Sequence, residues 1–192
     1  MTDLLNQYLE RFTTLGPKER ENILRELDIR QYVKGTTLVE QGEVSSTCYF
    51  VLRGCVRQYA IDEDGNENTS EFYNEEQAVA SMNRRDPDKG SDWYLTCLED
   101  CVLVVGDLAA EKGMFERHAQ LESMVRLMME EYLARMQREF AAFIAAAPEE
   151  RYRKMLRERP NLTERVPQHQ LASYLGMTPE SLSRIKKRIR TP

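Results

Sequence analysis

Residues 168–187 read QHQLASYLGMTPESLSRIKK, and this stretch decides the C-terminal fold. Two helices that cross steeply need a small residue at the crossing, and Ala172 is one. The turn between them needs a residue that tolerates left-handed φ, and Gly176 follows Leu175 there. Leu171, Leu175, Met177, Leu182 and Ile185 fall at the spacings of one shared apolar underside. The second helix has its own start signal: Thr178 as N-cap, Pro179 in the first turn, and Glu180 at the positive end of the dipole. A helix-turn-helix satisfies every one of these cues.

The outer face of that second helix carries Glu180, Ser181, Ser183, Arg184, Lys187 and Arg188. In a major groove an arginine bridges guanine O6 and N7, and a glutamate accepts from cytosine N4. Ser181, Lys187 and Arg188 suit phosphates. Gln168, with His169 beside it, begins the first helix and is placed to hold a phosphate. The expected DNA-binding set is therefore Gln168, His169, Thr178, Pro179, Glu180, Ser181, Arg184, Lys187 and Arg188. A helical hairpin used for protein contact is the plainer alternative. The coincidence of Ala172, Gly176, apolar spacing and basic face weighs against it.

Charge distribution points the same way. From Arg151 onward, eleven Lys and Arg face three acids, a net of +8; with −5 overall, the first 150 residues carry −13. An acidic body with a basic tail domain suits a tethered nucleic-acid binder.

Upstream, 3–12 and 18–27 read as two short helices broken at Gly16-Pro17. Short β-branched and aromatic runs follow at 32–33, 36–39, 48–52, 56–61, 69–73, 93–97 and 102–105, separated by turns such as Asp62-Glu63-Asp64-Gly65. Many short strands predict a sandwich or barrel. The polar stretch 83–92 reads as a mobile loop. Leu121, Val125, Met128, Tyr132, Met136, Phe140 and Phe143 then recur every three or four residues, a stripe on a helix of about 25 or more residues. So long a helix with a narrow seam wants a partner, and a parallel pairing with a second copy is expected, with the seam partly against the β domain. Pro148 ends it, and 149–159 form a shorter helix.

Other classes are disfavoured. No run approaches the roughly 18 apolar residues of a membrane helix, and the acidic-polar first ten residues do not read as a secretory leader. A cytoplasmic address is expected. Cys48, Cys55, Cys97 and Cys101 form no C-x-x-C and read as small buried hydrophobes, with an iron–sulfur or zinc site as the lesser alternative. No nucleophile–base set, glycine-rich phosphate loop or metal constellation is visible, so neither an enzyme nor a metal site is expected.

With these residues in hand, the chain resembles the catabolite-activator/Fnr (Crp/Fnr) family. Lys34-Gly35-Thr36-Thr37-Leu38-Val39-Glu40-Gln41-Gly42-Glu43 looks like its first sensor-domain turn, and Tyr49-Phe50-Val51-Leu52-Arg53-Gly54-Cys55-Val56-Arg57 like its strand-Gly-strand signature. The wording of the C-terminal motif resembles the Bacteroidetes-type branch. The resemblance implies an α+β chain: a jelly-roll (double-stranded β-helix), cyclic-nucleotide-binding-like sensor over 1–112, a dimerisation helix over 113–147, and a helix-turn-helix domain over 148–192 lacking most of the wing. Its base-contact positions fall on Pro179, Glu180 and Arg184. Pro179 cannot make an arginine-type contact, so a different half-site is expected at that base.

The phosphate cassette of that family is degenerate here. The matching stretch reads Gln77-Ala78-Val79-Ala80-Ser81-Met82, then Ser91-Asp92-Trp93-Tyr94. The Gly-Glu pair and the arginine are missing, and Asp92 would repel a phosphate. Cyclic AMP is not expected and no cofactor is predicted. An effector pocket, if used, is expected around Arg84, Arg85, Ser91, Asp92, Trp93 and Gln137. The expected partners are double-stranded DNA at a pseudo-palindromic site, a second copy of the chain, and RNA polymerase, with no membrane. A sensor that signals by protein contact without DNA is the alternative.

Overall fold

The computed structural model describes residues 2–80 and 89–190. Two helices open the chain, α1 (Thr2–Phe12) and α2 (Pro17–Glu26). Eight strands follow: β1 (Asp28–Tyr32), β2 (Thr37–Val39), β3 (Thr47–Arg53), β4 (Val56–Ile61), β5 (Glu67–Tyr73), β6 (Ala78–Ala80), β7 (Tyr94–Cys97) and β8 (Cys101–Asp107). They form two antiparallel sheets, ordered β1-β8-β3-β6 and β2-β7-β4-β5. That is the jelly-roll sandwich implied above. Val39, Val51, Val56, Tyr73, Val79, Leu95 and Leu103 alternate inward and fill its core.

The strands depart most from the sequence expectation at β1 and β6. The first strand ends at Tyr32, and Val33 lies 71% exposed in the turn beyond it. Strand β6 was not foreseen: Ala-Val-Ala offers one sizeable apolar side chain, and only pairing with Cys48–Phe50 makes it a strand. Of the expected loop, 83–88 lies outside the described residues. Its far end is tied down, because Gly42 N–H donates to the Ser91 carbonyl and Ser91 N–H to that of Glu43.

The long helical stretch is two helices, α3 (Leu108–Arg117) and α4 (Ala119–Ala145). His118, at φ −134 and ψ 74, breaks them. The first half of α4 packs inward: Leu121 joins Leu9, Leu15 and Ile23 in one apolar cluster. The second half turns large apolar side chains to solvent, with Leu133 59%, Phe140 66% and Ile144 65% exposed. Met129, Leu133, Met136 and Phe140 follow at steps of four, three and four, the spacing of a coiled-coil seam. This row shares Met136 and Phe140 with the stripe expected from sequence, whose earlier members Val125, Met128 and Tyr132 are half-buried.

Four helices complete the chain: α5 (Pro148–Glu158), α6 (Leu162–Arg165), α7 (Gln168–Tyr174) and α8 (Pro179–Arg190). Tyr152, Met155, Leu162, Leu171, Ala172, Leu175, Leu182 and Ile185 bury against one another, and the same cluster takes in Cys55 and Phe72 of the β domain. The C-terminal domain is therefore docked on the β5 side of the sandwich. The N-terminal helices cover the other sheet, with Leu5 packed on Leu52 and Val102.

Candidate nucleic-acid interface and the domain seam

The turn between α7 and α8 is built as its residues demand. Gly176 takes φ +65, and its N–H and that of Met177 reach back to the Ser173 and Ala172 carbonyls. A Cβ on Gly176 would stand 3.0 Å from Arg151 Nη1, so both φ and space favour glycine. Thr178 caps α8: its Oγ1 accepts from Ser181 N–H at 3.2 Å. Pro179 is the first helical residue, where its missing N–H costs nothing. The underside, Leu182 and Ile185, is buried against α7.

On the outer side Glu180, Ser183, Arg184, Lys187 and Arg188 are exposed. Arg184 Nη2 donates to Ser181 Oγ at 3.2 Å, which steadies the guanidinium along the helix. The Glu180 carboxyl is held below its ordinary value by the helix N-terminal backbone N–H and the Thr178 hydroxyl, so it stays ionised as an acceptor. Ser181 is only half exposed and is occupied by the cap and Arg184. Gln168 spans the two helices, donating to the Pro179 carbonyl at 3.5 Å and accepting from Lys186 Nζ at 3.4 Å. His169 is exposed beside it. Arg188 also pairs with Glu149 at 2.8 Å.

Several basic residues behind the +8 do other work. Arg159 Nη1 donates to Glu71 Oε1 at 2.7 Å and to the Tyr174 hydroxyl at 3.2 Å, and its Nη2 to the Phe72 carbonyl. Glu71 is almost fully buried there. Arg165 is gripped by two carboxylates: Glu75 at 2.9 Å from both guanidinium nitrogens, and Glu99. Burial opposes ionisation of Glu75, but Arg165 and the Gly54 N–H hold its carboxyl below its ordinary value. Ser173 Oγ accepts from Thr69 N–H at 2.9 Å and donates to the Glu67 carbonyl at 3.0 Å. Arg151 donates to the Phe143, Ala146 and Leu175 carbonyls, tying the end of α4 to the end of α7. Phe72 meets Tyr174 edge-on at 5.2 Å. None of this seam was foreseen. Its hydrogen bonds between the β domain and the C-terminal domain join residues 66 to 106 apart, and the sequence signal was an unexplained excess of acids in the β domain.

The expected effector residues fare differently. Arg84 and Arg85 lie outside the described residues. Ser91 is buried, but its hydroxyl donates to the Trp93 carbonyl and accepts from the Trp93 N–H. Asp92 is exposed and pairs with Lys89 at 3.2 Å. Trp93 sits at the surface and Gln137 is exposed on α4. Sequence reasoning passed over a half-buried polar group between β4, β5 and α4. Tyr73 hydroxyl donates to Gln58 Oε1 at 3.0 Å, Gln58 Nε2 to Ser70 Oγ at 3.0 Å, and Tyr73 and Tyr132 share a hydrogen bond. Burial pushes the Tyr73 phenol well above its ordinary value. Among the described residues, no group of three or more His, Cys, Asp or Glu could hold a metal ion. No described helix is long and apolar enough to cross a membrane.

The architecture is shared with solved structures along most of the chain. FixK2 from Bradyrhizobium japonicum superposes with a TM-score of 0.71 at 16% identity, covering 86% of this chain and 85% of that one. The c-di-GMP-responsive global regulator CLP of Xanthomonas campestris gives 0.68 at 18%, covering 88% and 89%. The catabolite activator protein of Thermus thermophilus gives 0.55 at 20%, covering 93% and 85%. No curated protein is matched by sequence. The jelly roll, the long helix and the helix-turn-helix thus share their fold with these structures. Within the chain, residues 29–118 match the family model of the cyclic nucleotide-binding domain.

Proposed function

We propose that the chain is a dimeric, sequence-specific DNA-binding transcription regulator. The observation that carries this reading is α8: a capped, internally packed helix with Glu180, Ser183, Arg184, Lys187 and Arg188 left on its open side. Arg184 and Glu180 read base edges, Lys187 and Arg188 hold phosphates, and Gln168 and His169 flank the backbone. The exposed row Met129, Leu133, Phe140 and Ile144 pairs with the same row of a second copy. Two recognition helices about 34 Å apart then read an inverted repeat. The action is binding rather than catalysis, with RNA polymerase as a further partner, in the cytoplasm.

The effector of this regulator is not cyclic AMP. This reading is supported by Ser91, whose hydroxyl is taken up by the Trp93 backbone, and by Asp92, an exposed carboxylate paired with Lys89 in the stretch that matches the phosphate cassette. The test is duplex binding across a salt series, with sedimentation of the free protein. The expected result is a dimer whose affinity falls steeply with salt, because each neutralised phosphate releases counterions. A monomer with salt-insensitive, negligible affinity would favour a sensor that works by protein contact alone.

A further inference from the structure

The charged row on α8 does not stop at the end of the helix. Glu180, Arg184 and Arg188 are exposed at steps of four, so they follow one line along its open side. Arg188 reaches off α8 to the start of α5, where its Nη2 meets Glu149 Oε2 at 2.8 Å. The other oxygen of that carboxylate, Oε1, accepts from Arg153 Nε at 3.1 Å and from Arg153 Nη2 at 2.9 Å. One carboxylate is shared by two guanidiniums, one from each helix. Arg157 is exposed one turn further along α5. The line of charge therefore crosses from α8 to α5, with Glu149 at the crossing.

The carboxylate is the least exposed of the three: 29% of its side chain is open, against 50% for Arg153 and 66% for Arg188. An ion pair this exposed contributes little to stability, because water competes for both partners. Each guanidinium carries five N–H donors in a fork that fits a phosphate as well as a carboxylate. Two cations and one anion leave a net charge of +1 at the crossing.

We propose, on the DNA-binding reading of α8, that the phosphate-holding surface extends onto α5 through Arg153 and that Glu149 acts as a brake on it. As a duplex approaches, a backbone phosphate replaces Glu149 on the guanidiniums. The hydrogen bonds lost to the carboxylate are regained from the phosphate, so the exchange itself gains little. The displaced carboxylate stays close by, on a half-buried position of α5, and repels the phosphate. Phosphates carry the same charge beside every base, so the brake acts on all sequences alike. It lowers affinity without altering the motif that Glu180 and Arg184 read.

The test compares the full chain with Glu149→Gln, which keeps the side-chain shape and an oxygen that can accept from Arg153. Affinity is measured across a salt series for a random-sequence duplex and for the duplex enriched by selection. Glu149→Gln is expected to bind both several-fold more tightly, with an unchanged motif and unfolding midpoint. Its plot of log affinity against log salt is expected to steepen by about one unit, the mark of about one more neutralised phosphate. Arg153→Ala and Arg188→Ala are each expected to lose more affinity in the Glu149→Gln background than in the native one. Equal or weaker binding by Glu149→Gln, or one salt slope for both proteins, would overturn the brake and leave the DNA-binding reading intact. Arg153→Ala with no effect in the Glu149→Gln background would overturn the extension onto α5. Absence of duplex binding by either protein would instead overturn the DNA-binding reading, and the brake with it.

Discussion

Arg184 and Arg165 stand nineteen positions apart and carry the same charge, yet the fold gives them opposite work. Arg184 is exposed on α8 and donates to Ser181, one turn earlier on its own helix. Arg165 is held by Glu75 and Glu99, whose backbones belong to two turns of the other domain. A count of basic residues treats them alike. Part of the +8 of the C-terminal domain therefore lies on the exposed side of α8, while part is turned inward and neutralised by carboxylates of the −13 body. Arg159 and Arg165 belong to the second and contribute to posture rather than to contact.

Substitution acts most strongly at the outward-facing row of α4. Leu133→Glu with Phe140→Glu places charge along the exposed seam, and sedimentation is expected to find only monomer. A persisting dimer would place the interface elsewhere. Next comes the inward arginine. Arg159→Ala strands the buried Glu71 without its cation, and urea unfolding is expected to show a loss of about 3 kcal/mol. An unchanged midpoint would mean that the seam contributes nothing. On the outward side, Thr178→Ala removes only the α8 cap and is expected to cost about 1 kcal/mol in the same assay. The smallest effect is that of pH. The Glu75 carboxyl is held below its ordinary value in the folded chain. Its contribution is therefore complete above the unfolded value of about 4.3 and is lost as pH falls through the lower folded value. Melting temperature should drop on acidification below about pH 4, and by less in Arg165→Ala. Equal acid sensitivity in both proteins would clear Glu75 of the role.

The helix-turn-helix was legible in sequence because its determinants are local. Ala172, Gly176, Thr178 and Pro179 act within one turn of themselves, and the structure uses each as the spacing implied. The jelly roll was legible as a class from strand rhythm, but not strand by strand: β6 exists only because β3 supplies a ladder. On α4, apolar residues run around much of the helix. Periodicity found one stripe, while burial divides it: Val125, Met128 and Tyr132 are half-buried, but Phe140 is exposed together with Met129 and Leu133, which the stripe left out. The docking seam was not legible at all. Glu71, Glu75 and Glu99 look like ordinary solvated acids until the chain returns Arg159 and Arg165 to them. The effector region stayed obscure for a related reason, since Ser91, Asp92 and Trp93 satisfy one another or their immediate neighbours.

Whether the outward face of α8 reads DNA is decided by selection from random duplexes with the purified protein and Arg184→Ala in parallel. An enriched inverted repeat is expected, its half-sites about one helical turn apart. Arg184→Ala is expected to lose enrichment at one base of each half-site while keeping its unfolding midpoint, at a cost of about 1–3 kcal/mol in affinity. Enrichment of no motif, or an identical motif from the Arg184→Ala protein, would contradict it.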